Sequence, residues 1–246
     1  MRTAAISLLT ASCLLTALAC STSKPDKAAP AASAKAEKKV RVAKPAMVSA
    51  ADWGSQPADM SGEIAHTPQY LTVHHAGEIW KPTDEPVKKL RGLQAWGKRE
   101  KGWPDLPYNF LLAPDGTIYE GRSTAYAPET NTAYDTTGHI GINLWGNFEE
   151  QRVSEAQLRS LVNLLAYYSQ QHNIPPDTIA AHKDRAQTLC PGRDLYRYVR
   201  DGHIAHWVKQ VQAGQEPDVQ LLPPLPEGPT VMIGQPLPTP APTPKP

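Results

Sequence analysis

The sequence predicts a single α/β domain in which a central mixed β-sheet is flanked by about three α-helices. Short runs rich in β-branched and aromatic residues alternate with longer runs whose apolar residues recur every three or four positions. Of the 246 residues, 40% are hydrophobic, which suffices for one core of ordinary size. The 25 prolines crowd towards the two ends of the chain, which indicates a compact centre between looser flanks.

The predicted strands are short runs bounded by turn residues. They cover residues 70–75, 108–112, 117–120, 139–145 and 178–181. The second and third flank the turn sequence Ala-Pro-Asp-Gly at residues 113–116, so they form a hairpin. The first strand ends in His74 and His75, and the last delivers His182. Side chains at strand ends are well placed for a site, because ligands of open α/β sheets bind there.

The predicted helices carry apolar residues at helical spacing. They cover residues 84–97, 155–172 and 195–212. The first begins at Thr83 or Asp84, the second begins at a capping box that runs from Ser154 to Gln157, and Asp194 caps the third. Residues 122–137 lack periodicity and are typical of a long surface loop, which is often functional.

The first 19 residues have the features of an export signal. Met1 and Arg2 precede an apolar run of about 15 residues, which is too short to span a bilayer. The run ends in Leu-Ala-Cys-Ser, which resembles a bacterial lipoprotein signal in which Cys20 is lipidated. An ordinary secretory signal is the alternative. We therefore predict an exported protein that is lipid-anchored in the cell envelope, in the outer membrane or periplasm of a Gram-negative cell.

The flanks of the predicted domain differ from it in composition. Residues 20–46 are rich in Ala, Lys and Pro, which predicts a disordered tether. Residues 214–246 carry a proline every few positions, which predicts a disordered, extended tail. The domain itself is predicted over residues 47–213. The formal net charge of +1 gives no electrostatic case for nucleic acid as a partner.

A histidine and a cysteine eight positions apart suggest a metal site. Cys190 is the only cysteine of the predicted domain, so it has no disulfide partner there, and His182 precedes it on a short loop. Imidazole and thiolate are the usual ligands of zinc, and a catalytic site needs a third. His74 is a natural third ligand, whereas His75 points to the opposite face because side chains alternate along a strand. The alternative is that these residues are only structural.

Several stretches carry a resemblance to a known family. They cover residues 48–54, 71–76, 102–111, 115–122, 140–148 and 188–192. From about Met47 to Val211 the chain resembles the peptidoglycan recognition protein / type 2 N-acetylmuramoyl-L-alanine amidase family, which includes phage amidase lysozymes. The matching stretches are long and in order, so the resemblance is more specific than any single motif.

The resemblance implies a Zn²⁺ cofactor held by His74, His182 and Cys190, with Tyr108 and Thr188 as catalytic residues. The implied reaction is hydrolysis of the amide between N-acetylmuramic acid and the L-alanine of the peptidoglycan stem. Binding-only members have usually lost the cysteine or the first histidine, and this chain keeps both. The resemblance therefore favours an enzyme, with a non-catalytic lipoprotein that binds muropeptides as the alternative.

The resemblance also implies a substrate preference. Gly102, Trp103 and Arg122 stand where animal members that bind meso-diaminopimelate stems have the same residues, and an arginine pairs bidentately with a carboxylate. Glu120, a carboxylate inside a matching motif, is interpreted as structural. A cytosolic recycling amidase is disfavoured, because that group has Asp in place of Cys190 and no export signal. A purely structural lipoprotein is disfavoured by the motifs. We expect a monomer that is attached to a membrane through its lipid.

Overall fold

The computed structural model describes residues 40–238, so the predicted signal peptide, Cys20, most of the predicted tether and residues 239–246 lie outside the described part. Its strands are β1 (Tyr70–His75), β2 (Phe110–Leu112), β3 (Ile118–Glu120), β4 (His139–Leu144) and β5 (Ala180–Ala181). Its α-helices are α1 (Pro86–Trp96), α2 (Glu155–Gln171), α3 (Arg193–Arg200) and α4 (His203–Gln212).

The five strands form one mixed sheet in the order β3-β2-β4-β1-β5. The neighbours β1 and β4 run parallel over their full length, from the Tyr70–His139 pair to the His75–Leu144 pair. Strand β3 is antiparallel to β2, which confirms the predicted hairpin. All six residues of β4 are buried, as expected of a parallel strand that is covered on both faces. The predicted mixed α/β class is therefore confirmed.

The longest helix, α2, begins where the capping box predicts. The side chain of Ser154 accepts a hydrogen bond from the backbone N–H of Gln157, and the side chain of Gln157 accepts one from the backbone N–H of Ser154. The helix packs against β2 and α4, and its apolar face is fully buried at Leu158, Leu161 and Leu165. No helix within residues 40–238 is long and apolar enough to cross a membrane.

The last predicted helix is wrong in two respects. It is two helices, α3 and α4, separated at Gly202, which has a left-handed φ of 78° that ends a regular helix. Asp194 is not the cap, because Gly192 precedes the first turn of α3. The buried Asp194 carboxylate instead accepts a hydrogen bond from the N–H of Val153 (2.9 Å) and pairs with Arg197 (2.6 Å). Burial raises the pKa of Asp194, an effect that these partners oppose.

A π-helical turn that the sequence pattern did not predict extends α1. It covers Gly97–Lys101 and ends at Gly102, whose φ of 68° is the left-handed conformation that glycine adopts without strain. The backbone N–H of Trp103 donates to the carbonyl of Gly97 (3.2 Å), so the turn fixes the position of Trp103.

Parts of both flanks pack on the domain. The backbone of Val42 donates to Oε1 of Gln170 (2.8 Å), and Nε2 of the same glutamine donates to the carbonyl of Val40 (2.7 Å). Downstream of α4, Val219 and Ile233 are buried in the core. The proline spacing predicts an extended tail, whereas these two residues pack on the domain. Apolar side chains between prolines still gain free energy when they are buried. The domain boundaries themselves stay a prediction.

Candidate functional site

The ends of β1 and β5 bring three predicted ligands to one place. His74 lies near the carboxyl end of β1, and His182 opens a short 3₁₀ turn directly after β5. Cys190 follows on the same loop, and its carbonyl accepts a hydrogen bond from the N–H of Lys183 (2.9 Å). Because β1 and β5 are parallel neighbours, both chain segments leave the sheet at its carboxyl-terminal end.

The three ligand side chains form a buried cluster. One ligand atom from each of His74, His182 and Cys190 lies within 4.8 Å of the others. The Nδ1 atom of His74 is 3.8 Å from the Sγ atom of Cys190, and the two imidazole rings are 4.6 Å apart between centroids. The structure thus brings together the three side chains that the sequence picked out as ligands.

Backbone contacts hold the thiol of Cys190 in the cluster. The N–H of His75 donates to Sγ (3.3 Å), and the N–H of Cys190 donates to Oγ1 of Thr188 (3.2 Å). Burial raises the pKa of the Cys190 thiol to about 12, and the hydrogen bond from His75 opposes this increase. The pKa of His74 lies well below its ordinary value, first because of burial and then because of the neighbouring His182.

This donor set fits zinc. Two neutral imidazoles and one thiol, all buried, match the nitrogen and sulfur ligands that zinc prefers, and their number matches a catalytic site that keeps one position open. A bound divalent cation favours the thiolate strongly and so reverses the effect of burial on the thiol.

The imidazole of His182 is oriented by a residue that the sequence pattern did not single out. Its Nε2 atom is 2.6 Å from Oγ1 of Thr132, which in turn lies 2.8 Å from Oγ1 of Thr130. In the tautomer in which Nε2 donates to Thr132, Nδ1 keeps a lone pair for a metal. The ring of Tyr134 packs 5.3 Å from that of His182, and burial raises the pKa of Tyr134 to about 12. Thr130, Thr132 and Tyr134 all lie in the loop over residues 122–137. The sequence of this loop has no periodicity, so it does not predict which of its residues contact His182.

His75 has a structural environment. Its Nδ1 atom accepts a hydrogen bond from the backbone N–H of Phe148 (3.2 Å), and burial lowers its pKa to about 4. The ring is therefore neutral at physiological pH, and of the two adjacent histidines only His74 belongs to the cluster.

The cluster lies in a groove with a cavity volume of about 810 Å³. One wall is the exposed face of α1 together with Trp103, and residues 129–132 form another. Tyr108 and Thr188 also line the groove. The ring of Tyr108 is 5.2 Å from that of His74, and burial raises the pKa of its hydroxyl, so the hydroxyl stays protonated.

Two residues that the sequence assigned to substrate binding do not line this groove. Arg122 is 1% exposed; its Nη1 pairs with Glu63 (2.9 Å) and Glu129 (3.2 Å), and its Nε donates to the carbonyl of Leu106 (3.0 Å). It therefore braces the loop that it begins. Gly102 closes the π-helical turn. Glu120 pairs with Lys44 (3.1 Å), in line with a structural role.

Comparisons with known proteins agree with this arrangement. The profile of the family described as N-acetylmuramoyl-L-alanine amidase matches residues 65–193. Peptidoglycan recognition protein 1 of Mus musculus is 31% identical over 162 residues, which are 63% of this chain and 86% of that protein. Peptidoglycan-recognition protein SC2 of Drosophila simulans is 29% identical over 156 residues, with 63% and 84% of the two chains covered.

Solved structures give the same picture. Peptidoglycan recognition protein-LE in complex with tracheal cytotoxin, a monomeric diaminopimelic acid-type peptidoglycan, is similar with a TM-score of 0.57, 26% identity and coverage of 63% and 92%. The endolysin N-acetylmuramoyl-L-alanine amidase LysCS from Clostridium intestinale is similar with a TM-score of 0.51, 27% identity and coverage of 62% and 91%.

Proposed function

Because this chain belongs to the N-acetylmuramoyl-L-alanine amidase family, we propose that it is a zinc-dependent peptidoglycan hydrolase. The bond cleaved is the amide between N-acetylmuramic acid and L-alanine of the stem peptide. The observation that carries the proposal is the buried cluster of His74, His182 and Cys190. Its two nitrogen ligands and one sulfur ligand fit catalytic zinc, and the cluster lines a groove.

The three ligands and their neighbours prepare the site. When bound, zinc supplies a water whose pKa is lowered to about 7 and polarises a carbonyl oxygen. Thr132 holds the imidazole of His182 in one tautomer, and the N–H of His75 steadies the thiol of Cys190. All three ligand side chains are buried at the groove, so neighbouring protein groups rather than bulk water set their positions.

Tyr108 and Thr188 act on the substrate. The hydroxyl of Tyr108 is protonated, so it donates a hydrogen bond to the oxygen on which negative charge develops. A preorganised donor of this kind contributes about 10²- to 10³-fold in rate. Oγ1 of Thr188 accepts the N–H of Cys190 through a lone pair, which leaves its hydroxyl hydrogen for a substrate oxygen.

The second candidate function is recognition of peptidoglycan without cleavage. Several similar proteins carry the name peptidoglycan recognition protein, and one similar structure holds a muropeptide. The same groove then serves as the binding site. We propose diaminopimelic acid-type peptidoglycan as the ligand class under both functions, on the basis of that complex and of Trp103 on the groove wall.

Digestion of purified sacculi separates the two functions. The protein is incubated with sacculi after treatment with a chelator, with and without added zinc. Release of stem peptides that begin with L-alanine, only in the presence of zinc, is expected for the amidase. Retention of the protein on sacculi with zinc bound and no peptide released would instead establish recognition alone.

The chain reaches its substrate, we propose, from a lipid anchor at Cys20 in the bacterial envelope. The support is the sequence of the predicted signal, which ends in Leu-Ala-Cys-Ser. Cells that produce the protein are labelled with palmitate and fractionated. Label and membrane association that both vanish in Cys20→Ser are expected, and an unlabelled, soluble wild-type protein would refute the anchor.

A further inference from the structure

Polar atoms without a partner are concentrated at the groove floor. Within residues 40–238, five buried side-chain nitrogen and oxygen atoms have no hydrogen-bond partner among the protein atoms, and three of these belong to Asn143 and Trp145. The other two belong to the guanidinium groups of Arg122 and Arg152, which hold other partners. Buried polar groups are nearly always bonded in folded proteins, so the amide of Asn143 and the indole N–H of Trp145 call for an explanation.

Asn143 and Trp145 belong to the same groove as the cluster of His74, His182 and Cys190. Asn143 is paired with His74 in the register of β1 and β4, and Trp145 directly follows the last residue of β4. Both line the groove. Their exposed fractions are 0% and 4%, so bulk water does not supply the missing hydrogen-bond partners.

A nearby asparagine shows what a structural role looks like in this fold. Asn109 is as buried as Asn143, but its Nδ2 donates to the carbonyls of Arg122 (3.1 Å) and Ser123 (3.2 Å). Its Oδ1 accepts the N–H of Gly141 (2.9 Å). Asn143 has no such partners within the described residues, so packing alone does not account for an amide at that position.

The chemistry of the three atoms identifies the ligand group. An asparagine side chain offers donors and an acceptor, and an indole offers one donor. A secondary amide presents one N–H and one carbonyl oxygen, which match this set. We propose that Asn143 and Trp145 form a subsite for a secondary amide of the muropeptide, either its acetamido group or a peptide unit. The inference rests on the proposed function for the identity of the ligand, but it does not depend on hydrolysis.

Stability and affinity measured together test the subsite. Full-length protein, treated with a chelator so that no hydrolysis occurs, is titrated with N-acetylmuramyl-L-alanyl-D-isoglutamine by calorimetry, and Tm is measured in parallel. Asn143→Leu is expected to raise Kd about tenfold and to leave Tm unchanged or higher, because its amide has no partner to lose. Trp145→Phe is expected to raise Kd about fivefold. The matched control Asn109→Leu is expected to lower Tm.

A second ligand that lacks the N-acetyl group, together with the digestion of sacculi described above, separates the remaining outcomes. If the effect of Asn143→Leu on Kd disappears with the de-N-acetylated ligand, the acetamido group is the one bound; if it persists, a peptide unit is. A lower Tm with unchanged Kd for Asn143→Leu would overturn the subsite, as would an unaltered protein that does not bind the ligand. Binding without any release of peptides from sacculi would refute the amidase and leave the subsite standing.

Discussion

Replacement of Thr132 by valine tests how the site orients its second histidine. The substitution keeps the shape of the side chain but removes the hydroxyl that lies 2.6 Å from Nε2 of His182. His182 is 7% exposed, so water replaces that partner poorly. Loss of an outer partner of a metal-bound histidine typically weakens metal binding about 10- to 100-fold. This range corresponds to about 1.4 to 2.8 kcal/mol.

The assay is a zinc titration in competition with a chromogenic chelator. The matched control is Thr136→Val in the same loop, because the side chain of Thr136 makes no hydrogen bond within residues 40–238. We expect a weaker zinc affinity for Thr132→Val alone, with a circular dichroism spectrum like that of the wild type. Equal affinities for the two variants would refute the argument that Thr132 fixes the tautomer of His182.

Three further predictions concern the catalytic donor, the metal and a turn. Tyr108→Phe should lower kcat about 10²- to 10³-fold without changing zinc affinity, as measured by peptide release and zinc titration; a near-normal kcat would remove Tyr108 from the mechanism. Zinc at 100 times its Kd should stabilise the wild type by about 2.7 kcal/mol, seen as a higher Tm, and Cys190→Ala should lose both this increase and activity. Gly116→Ala should lower the free energy of unfolding by about 1 kcal/mol or more. The φ angle of Gly116 is +86°, and the new Cβ would lie 2.9 Å from the carbonyl oxygen of Ala156. An unchanged midpoint of unfolding in urea would contradict this.

Much of the fold was predictable because its signals are local. The capping box at Ser154 and the turn over residues 113–116 act within a few residues, so short windows predict them. The break at Gly202 was missed because apolar residues at helical spacing continue on both sides of it. Asp194 was assigned to a cap because its partner, the N–H of Val153, is 41 residues away in the chain.

Some residues of the candidate site can likewise be predicted from the sequence, and others cannot. His74, His182 and Cys190 stand at strand ends and in motifs, so the sequence alone was enough to predict that these three side chains lie together. The partner of His182, Thr132, comes from a loop without periodicity, and only the folded chain shows the contact. Arg122 was expected to face a substrate carboxylate. The structure surrounds it with carboxylates and carbonyls of the protein, which no motif reports.

The two hydrogen bonds made by the side chain of Gln170 bear on how the proposed tether would transmit mechanical load. Two hydrogen bonds join this α2 residue to the backbone of Val40 and Val42, which lie in the last part of the predicted tether over residues 20–46. Under the proposed upstream anchor, tension would therefore act first on these two bonds to α2, the longest α-helix within residues 40–238. Because Val40 and Val42 precede β1 in the chain, both bonds would have to break before tension from that side reached the candidate ligand His74.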